Sequence, residues 1–211
     1  LELLNFDTSK INDTSYMFNN CSSLISLNLS NFNTSSVINM NNMFYNCKLI
    51  DSLDISNFNT SLVTNMIYMF ANCSNITKAN KLNAKILGPE CYGYMFSGCT
   101  SLTEAPELPV TELVTWCYAH MFEKCTSLTT APKLPAMNLA PACYRTMFGG
   151  CSNLQHVECL VEDLGQSLSS NPFLAWLGSV SPTGTFVKKS GVEWPRGSNG
   201  IPEGWEVEEV D

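Results

Sequence analysis

Residues 16–35 read YMFNNCSSLISLNLSNFNTS, and residues 68–80 read YMFANCSNITKAN, a partial copy of the same phrase. The copying is strictly periodic. Met-Phe falls at Met17-Phe18, Met43-Phe44, Met69-Phe70, Met95-Phe96, Met121-Phe122 and Met147-Phe148, an interval of 26 residues each time. A period of that length decides the architecture before domains are counted, because one such unit cannot bury its own apolar face and must stack on its neighbours.

Within a unit, Cys21 is followed by Leu24, Leu27, Leu29 and Phe32, and Cys47 by Ile50, Leu53, Ile55 and Phe58. This L-x-x-L-x-L-x-x-F spacing is the leucine-rich repeat pattern, and its alternating part suits a short strand. Seven strand positions begin near Leu1, Leu24, Ile50, Ile76, Leu102, Leu128 and Leu154. Parallel strands roughly 4.8 Å apart would make a stack about 29 Å long. The segment returning the chain to the next strand is expected to be a short helix, since Cys91, Met95, Cys99 and Leu102 step by four, four and three. Pro89 and Pro141 suit a first helical turn, and Pro106 and Pro132 shorten the strands by removing a donor.

The sequence therefore predicts an α/β solenoid over residues 1–159, a right-handed superhelix of about seven coils, the first truncated, with short parallel strands on the concave side and short helices or turns on the convex side. Residues 160–211 leave the period, hold three of the four tryptophans and are expected to form a C-terminal cap. In that cap NPFLAWLG predicts a helix with Asn171 capping, Pro172 at the first position and Gly178 as the stop. TGTFVKK and GWEVEEV predict two strands.

Of the 211 residues 45% are hydrophobic and 14% charged, which describes a folded chain rather than a disordered one. With 11 basic and 19 acidic residues and a net charge of −8, no basic stripe exists for a nucleic acid or an anionic membrane surface. There is no run of 18 apolar residues, and LELLNFDTSK lacks the features of a secretory signal. Leu1, Leu3 and Phe6 share the phase of Leu27, Leu29 and Phe32, so the sequence opens inside a repeat already in progress. The expectation is a trimmed chain, so the lack of a targeting segment says nothing of where the full protein lies.

Ten cysteines raise the question of bridges or metal. Cys21, Cys47, Cys73, Cys99, Cys125 and Cys151 share one phase and Cys91, Cys117 and Cys143 another, so stacked side chains point the same way instead of converging as a disulfide requires. Buried free thiols acting as small hydrophobes are expected, in keeping with a reducing or anaerobic setting. Cys117-x-x-His120 and His156-x-x-Cys159 are isolated ligand pairs, so no metal and no cofactor is expected. A Cys–His dyad is disfavoured because the same cysteine phase is filled in repeats with no histidine. The Met-Phe doublets read as an internal spine. Sequons at Asn12, Asn20, Asn28, Asn33, Asn59, Asn72 and Asn75 follow from the repetition, with several of those side chains serving turns.

The stretch MFYNCKLIDSLDISNFNTSLVTNM resembles the BspA-like bacterial surface leucine-rich repeat family, including its LSNFNTSxVxNMxxMFxxC variant. The resemblance covers residues 1 to about 159, and SPTGTFVKKSGVEWPRGSNGIPEGWEVEEV is similar to tails closing such proteins in anaerobic bacteria of the gut and mouth. It implies export or lipid anchoring, with the signal or anchor removed from the trimmed chain, an extracellular or outer-surface location, and adhesion to host matrix, epithelium or other bacteria. Ala79 and Lys81 depart from the pattern, so that repeat is expected to be irregular.

Alternation along the strands leaves two outward columns. One holds Ser26, Ser52, Lys78, Glu104, Thr130 and His156; the other holds Glu2, Asn28, Asp54, Asn80, Pro106, Pro132 and Glu158. These positions vary while the buried ones repeat, the pattern of a recognition surface on a fixed frame and equally of an unconstrained solvent face. The expectation is a non-enzymatic, monomeric surface module binding a host or bacterial surface protein or glycan through Ser26, Asn28, Ser52, Asp54, Lys78, Asn80, Glu104, Thr130, His156 and Glu158. The alternative is a structural spacer displaying another domain. No nucleophile, acid and base converge in the linear pattern, which leaves an enzyme third.

Overall fold

The computed structural model describes residues 7–79, 88–108, 112–134, 138–164 and 171–211. Its repeats lie on one another in register. Phe18, Phe44, Phe70, Phe96, Phe122 and Phe148 form one continuous column of stacked rings, with successive centroids 5.4 to 5.8 Å apart. Tyr92, Tyr118, Tyr144 and Phe173 form a second at 5.6 to 6.0 Å. Met43, Met69, Met95, Met121 and Met147 are buried beside them, so the Met-Phe doublet is the internal spine.

The return segments are not helices. No helix occurs among the described residues, and the segments that step by four are chains of tight turns. The hydrogen bonding shows why. In the return of Glu90–Cys99, the N–H groups of Met95, Ser97 and Cys99 bond back three residues to Tyr92, Tyr94 and Phe96. The alternate N–H groups, of Tyr92, Tyr94, Phe96 and Gly98, instead bond across to Cys117, Ala119, Met121 and Glu123 of the next repeat. An α-helix spends every interior N–H on itself, and these segments spend half of theirs on a neighbour.

That division needs a residue of positive φ at every fourth position, where a type II turn places its third residue. Glu90, Tyr94 and Gly98 take φ of 61, 56 and 75°, and Trp116, His120 and Lys124 take 62, 58 and 61°. Each non-glycine residue there costs about 1–2 kcal/mol of local strain, offset by the bonds between repeats. A four-residue turn period puts Cys91, Met95 and Cys99 on one side just as a helix would, which is how the sequence spacing imitated one.

The strand side is parallel, but shorter than the seven expected strands. Lys78 bridges Glu104, Thr130 bridges His156, and Leu134 bridges Cys159, all as isolated parallel contacts. A continuous strand, β1, forms at His156–Cys159. It pairs in parallel with β2 (Gly184–Lys189), which pairs in parallel with β3 (Trp205–Val210), so the expected strands in TGTFVKK and GWEVEEV are present.

NPFLAWLG is likewise not a helix. Asn171, Ala175 and Ser179 have φ of 50, 53 and 60°, and the carbonyls of Pro172, Leu174, Trp176 and Gly178 accept the N–H groups of Tyr144, Thr146, Phe148 and Gly150. The segment is one more return laid on the ladder, entered with a longer offset than the 26-residue period. Its own outward donor at Ala175 is met by Asn199 Oδ1 at 2.8 Å, and the Trp176 indole donates to the Gly200 carbonyl at 2.9 Å. The loop around Asn199 thus ends the ladder without leaving that N–H bare.

Candidate functional site on the strand face

On the strand face Ser26, Asn28, Ser52, Asp54, Lys78, Glu104 and Thr130 are exposed, and His156 and Glu158 are half-buried, since β2 lies alongside them. Asn80 lies outside the described residues. Pro106 is buried and Pro132 half-buried, so the second column does not stay outward along its whole length. A proline ring without a donor turns inward more cheaply than a polar side chain does.

The lysines of this face pair with glutamates across neighbouring repeats. Lys78 Nζ lies 2.7 Å from Glu104 Oε1, and Lys133 Nζ lies 3.2 Å from Glu158 Oε1. With both partners of the first pair more than 60% exposed, such a contact is worth about 0–1 kcal/mol. The amide and carboxylate groups are held by the backbone. Asn28 Oδ1 accepts the Ser30 N–H at 3.0 Å, and Asp54 Oδ1 accepts the Ser56 N–H at 2.9 Å. The Ser56 hydroxyl and N–H hold the Asp54 carboxyl below the usual carboxylate range. Two hollows adjoin here, of about 180 and 330 Å³, sharing Asp54 as a wall.

The cysteines are not part of a site. All ten are free thiols, nine of them buried and Cys21 half-buried. Five donate to the phenylalanine carbonyl of the preceding repeat: Cys47 to Phe18, Cys73 to Phe44, Cys99 to Phe70, Cys125 to Phe96 and Cys151 to Phe122, at 3.0 to 3.2 Å. Burial pushes their thiols up, Cys73 and Cys151 to about 12, the opposite of what a nucleophile or a metal ligand requires. Among the described residues no group of three or more His, Cys, Asp or Glu side chains is placed to hold a metal ion.

The return face carries a feature that the linear reading passed over. Tyr45 meets Tyr68 edge-on at 6.2 Å, Tyr68 stacks on Tyr94 at 4.5 Å, and Tyr94 stacks on His120 at 4.2 Å. His120 Nδ1 lies 3.0 Å from Glu123 Oε2, and the Arg145 guanidinium sits 5.1 Å above the Trp116 ring. The signal was in the phase: Tyr68, Tyr94 and His120 are 26 residues apart. Stacked on one another, Tyr94 and its two neighbours turn ring faces toward each other rather than outward. The strip therefore explains how large residues tolerate positive φ better than it explains binding.

The fixed period and the in-register apolar spine run through a region, residues 90–173, that matches the family model described as BspA type Leucine rich repeat region (6 copies). The chain belongs to the family described as Mycoplasma protein of unknown function, DUF285, whose model matches residues 1–108. No curated protein and no solved structure is significantly similar to it. No helix among the described residues is long and apolar enough to cross a membrane.

Proposed function

We propose that this chain is a non-enzymatic binding module displayed outside the cell, a right-handed leucine-rich repeat solenoid whose concave strand face recognises a host or bacterial surface protein or glycan. One observation carries the reading: residues of one buried phase are chemically the same from repeat to repeat, while the exposed column Ser26, Ser52, Lys78, Glu104, Thr130 changes at nearly every step. Residues 160–211 close the stack in this reading, and the module acts as a monomer. The BspA-type match supports a surface setting.

The test is binding of the chain to immobilised matrix proteins and glycans, compared with a Glu104→Ala, His156→Ala double variant. A loss of about tenfold or more with an unchanged unfolding midpoint is the expected result. A double variant indistinguishable from the parent across the panel overturns the reading.

A spacer that displays another domain is the second reading. The pairs Lys78–Glu104 and Lys133–Glu158 favour it, because a face whose charges neutralise each other also suits plain solvent. Absence of any ligand for the parent chain, with a distinct domain joined to it in the full gene product, is the outcome that selects it.

A further inference from the structure

Strand β3 is the outer strand of the three-stranded sheet, and part of its backbone edge is open. The Val210 carbonyl accepts the Ser190 N–H, so Val210 turns its backbone groups toward β2. By alternation Glu206 and Glu208 do the same, while Val207 and Glu209 turn theirs away from the sheet. Among the described residues nothing bonds to the outward N–H or carbonyl of Val207 or Glu209. Trp205 also turns outward, but its N–H is met by the Pro202 carbonyl and its carbonyl by the Arg196 guanidinium at 3.0 Å. The open edge therefore begins at Val207.

The side chains also stop one strand short. The register sets Val157, Phe186 and Val207 in one row on the core side, and the first two are buried while Val207 is half-buried. On the opposite side Glu206 continues the row of His156 and Thr185, and Glu208 that of Glu158 and Val187. Both carboxylates are exposed, and among the described residues neither has an ion-pair partner.

Charge decides what kind of chain suits this edge. From β2 onward Glu193, Glu203, Glu206, Glu208, Glu209 and Asp211 outnumber Lys188, Lys189 and Arg196. Lys188 is held by Glu209 and the Val192 carbonyl, and Arg196 by the Pro202 and Trp205 carbonyls. A second copy is a poor occupant. Two β3 strands meeting antiparallel about Val207 would set Glu206 of each opposite Glu208 of the other, and like charges opposed across a strand pair are destabilising. The carboxylates thus bar self-pairing, as edge charges do, and the same charges attract a basic strand.

We propose that the β3 edge docks an extended basic peptide segment as a fourth strand, with lysine or arginine side chains beside Glu206 and Glu208 and an apolar residue between them that covers Val207. Backbone bonds to Val207 and Glu209 hold the segment, and its alternating side chains give selectivity. This site goes beyond the strand-face reading, needs neither Glu104 nor His156, and stands or falls separately from it.

The probe is an end-capped heptapeptide of alternating lysine and valine, compared with a block isomer of the same composition and a version N-methylated along one backbone edge. Each is titrated calorimetrically against the parent chain, a Glu206→Lys, Glu208→Lys variant and a Val207→Pro variant. A Glu107→Lys, Glu112→Lys control makes the same change in net charge at exposed positions elsewhere. The alternating peptide is expected to bind parent and control alike and to slow amide hydrogen exchange at Val207 and Glu209. Reversing Glu206 and Glu208 should weaken it about tenfold or more, since two attractive cross-strand pairs become repulsive. Val207→Pro removes an outward N–H where an edge strand tolerates proline, and should weaken binding as well. Unfolding midpoints show whether the variants are folded; if Val207→Pro is not, the charge reversal and the exchange measurement still decide. No binding, equal binding of the block isomer or the N-methylated peptide, undiminished binding to the charge-reversed variant, or unprotected amides at Val207 and Glu209 each overturn the inference. So does an equal loss in the control, which would reduce the effect to net charge.

Discussion

The Cys73 thiol donates a hydrogen bond to the Phe44 carbonyl oxygen at 3.0 Å, one rung of a series that recurs at Cys99 on Phe70 and Cys125 on Phe96. A cysteine in this phase does two things at once: it fills an apolar gap, and it gives a second hydrogen bond to a carbonyl that already accepts a backbone N–H, that of Cys47 in the case of Phe44. Serine would donate from a shorter reach, and alanine would fill less and donate nothing.

From that follows an order of stabilities. Cys99→Ala should lower unfolding free energy by about 1–2 kcal/mol, through the lost volume and the lost thiol hydrogen bond to a Phe70 carbonyl that keeps the Cys73 N–H. Cys99→Ser should fall between it and the parent. Cys21→Ala, at the half-buried end of the column, should cost less than about 1 kcal/mol. Urea midpoints at fixed slope measure all three, and equal losses at Cys99 and Cys21 would remove the thiol ladder from the account.

The same thiols make the fold sensitive to base. Cys73, Cys117, Cys143, Cys151 and Cys159 are pushed up to about 12 by burial, and Cys47 and Cys91 to about 11, from an ordinary 9.0. Below pH 9 these groups are protonated in both folded and unfolded chains, so their contribution to stability is fully present. Above it the unfolded chain gives up protons that the folded chain keeps, and stability is lost as pH rises toward 11 and 12. Each such thiol adds a slope of about 1.4 kcal/mol per pH unit. The unfolding midpoint should be level from neutrality to pH 8 and fall steeply beyond 9. A midpoint unchanged at pH 10.5 would contradict the burial of these groups.

The turn chemistry gives a pair of opposite effects at one phase. Gly98 has φ of +75°, and a β-carbon there would sit 2.3 Å from Asn72 Oδ1. Lys124 occupies the equivalent position one repeat on with φ of 61°. Gly98→Ala should cost about 1–2 kcal/mol, whereas Lys124→Gly should raise stability by up to about 1 kcal/mol, the relieved strain exceeding the added unfolded-state entropy. Thermal melting of the two variants checks the signs, and a destabilised Lys124→Gly would be the contrary finding.

The period, the buried spine, the parallel direction and the unpaired cysteines were legible in the sequence because stacking demands like residues at like positions. The return was not, since a stripe at Cys91, Met95 and Cys99 is common to a helix and to a run of four-residue turns. Asn20, Asn46, Asn72, Gly98 and Gly150, residues that favour positive φ at one recurring phase, carried the missing distinction. NPFLAWLG failed for a related reason: its proline and glycine suit a helix by local rules, but its carbonyls are claimed by Tyr144, Thr146, Phe148 and Gly150, which only the neighbouring repeat reveals. Of the strand face, the residues were legible and their mutual arrangement was not. Nothing in the linear spacing singled out the hollows beside Asp54.

The cross-repeat bonds keep one offset from Tyr16 to Asn41, from Asn42 to Ile67, from Tyr68 to Gly93 and from Tyr94 to Ala119. Excising one whole unit and rejoining the ends would return every donor to an acceptor of the same kind, while excising a smaller piece would strand those whose bonds span the cut. Length in such a molecule is therefore quantised: recombination can change it cleanly only in full steps, and each step adds or removes one layer of the stack without redesigning a single joint.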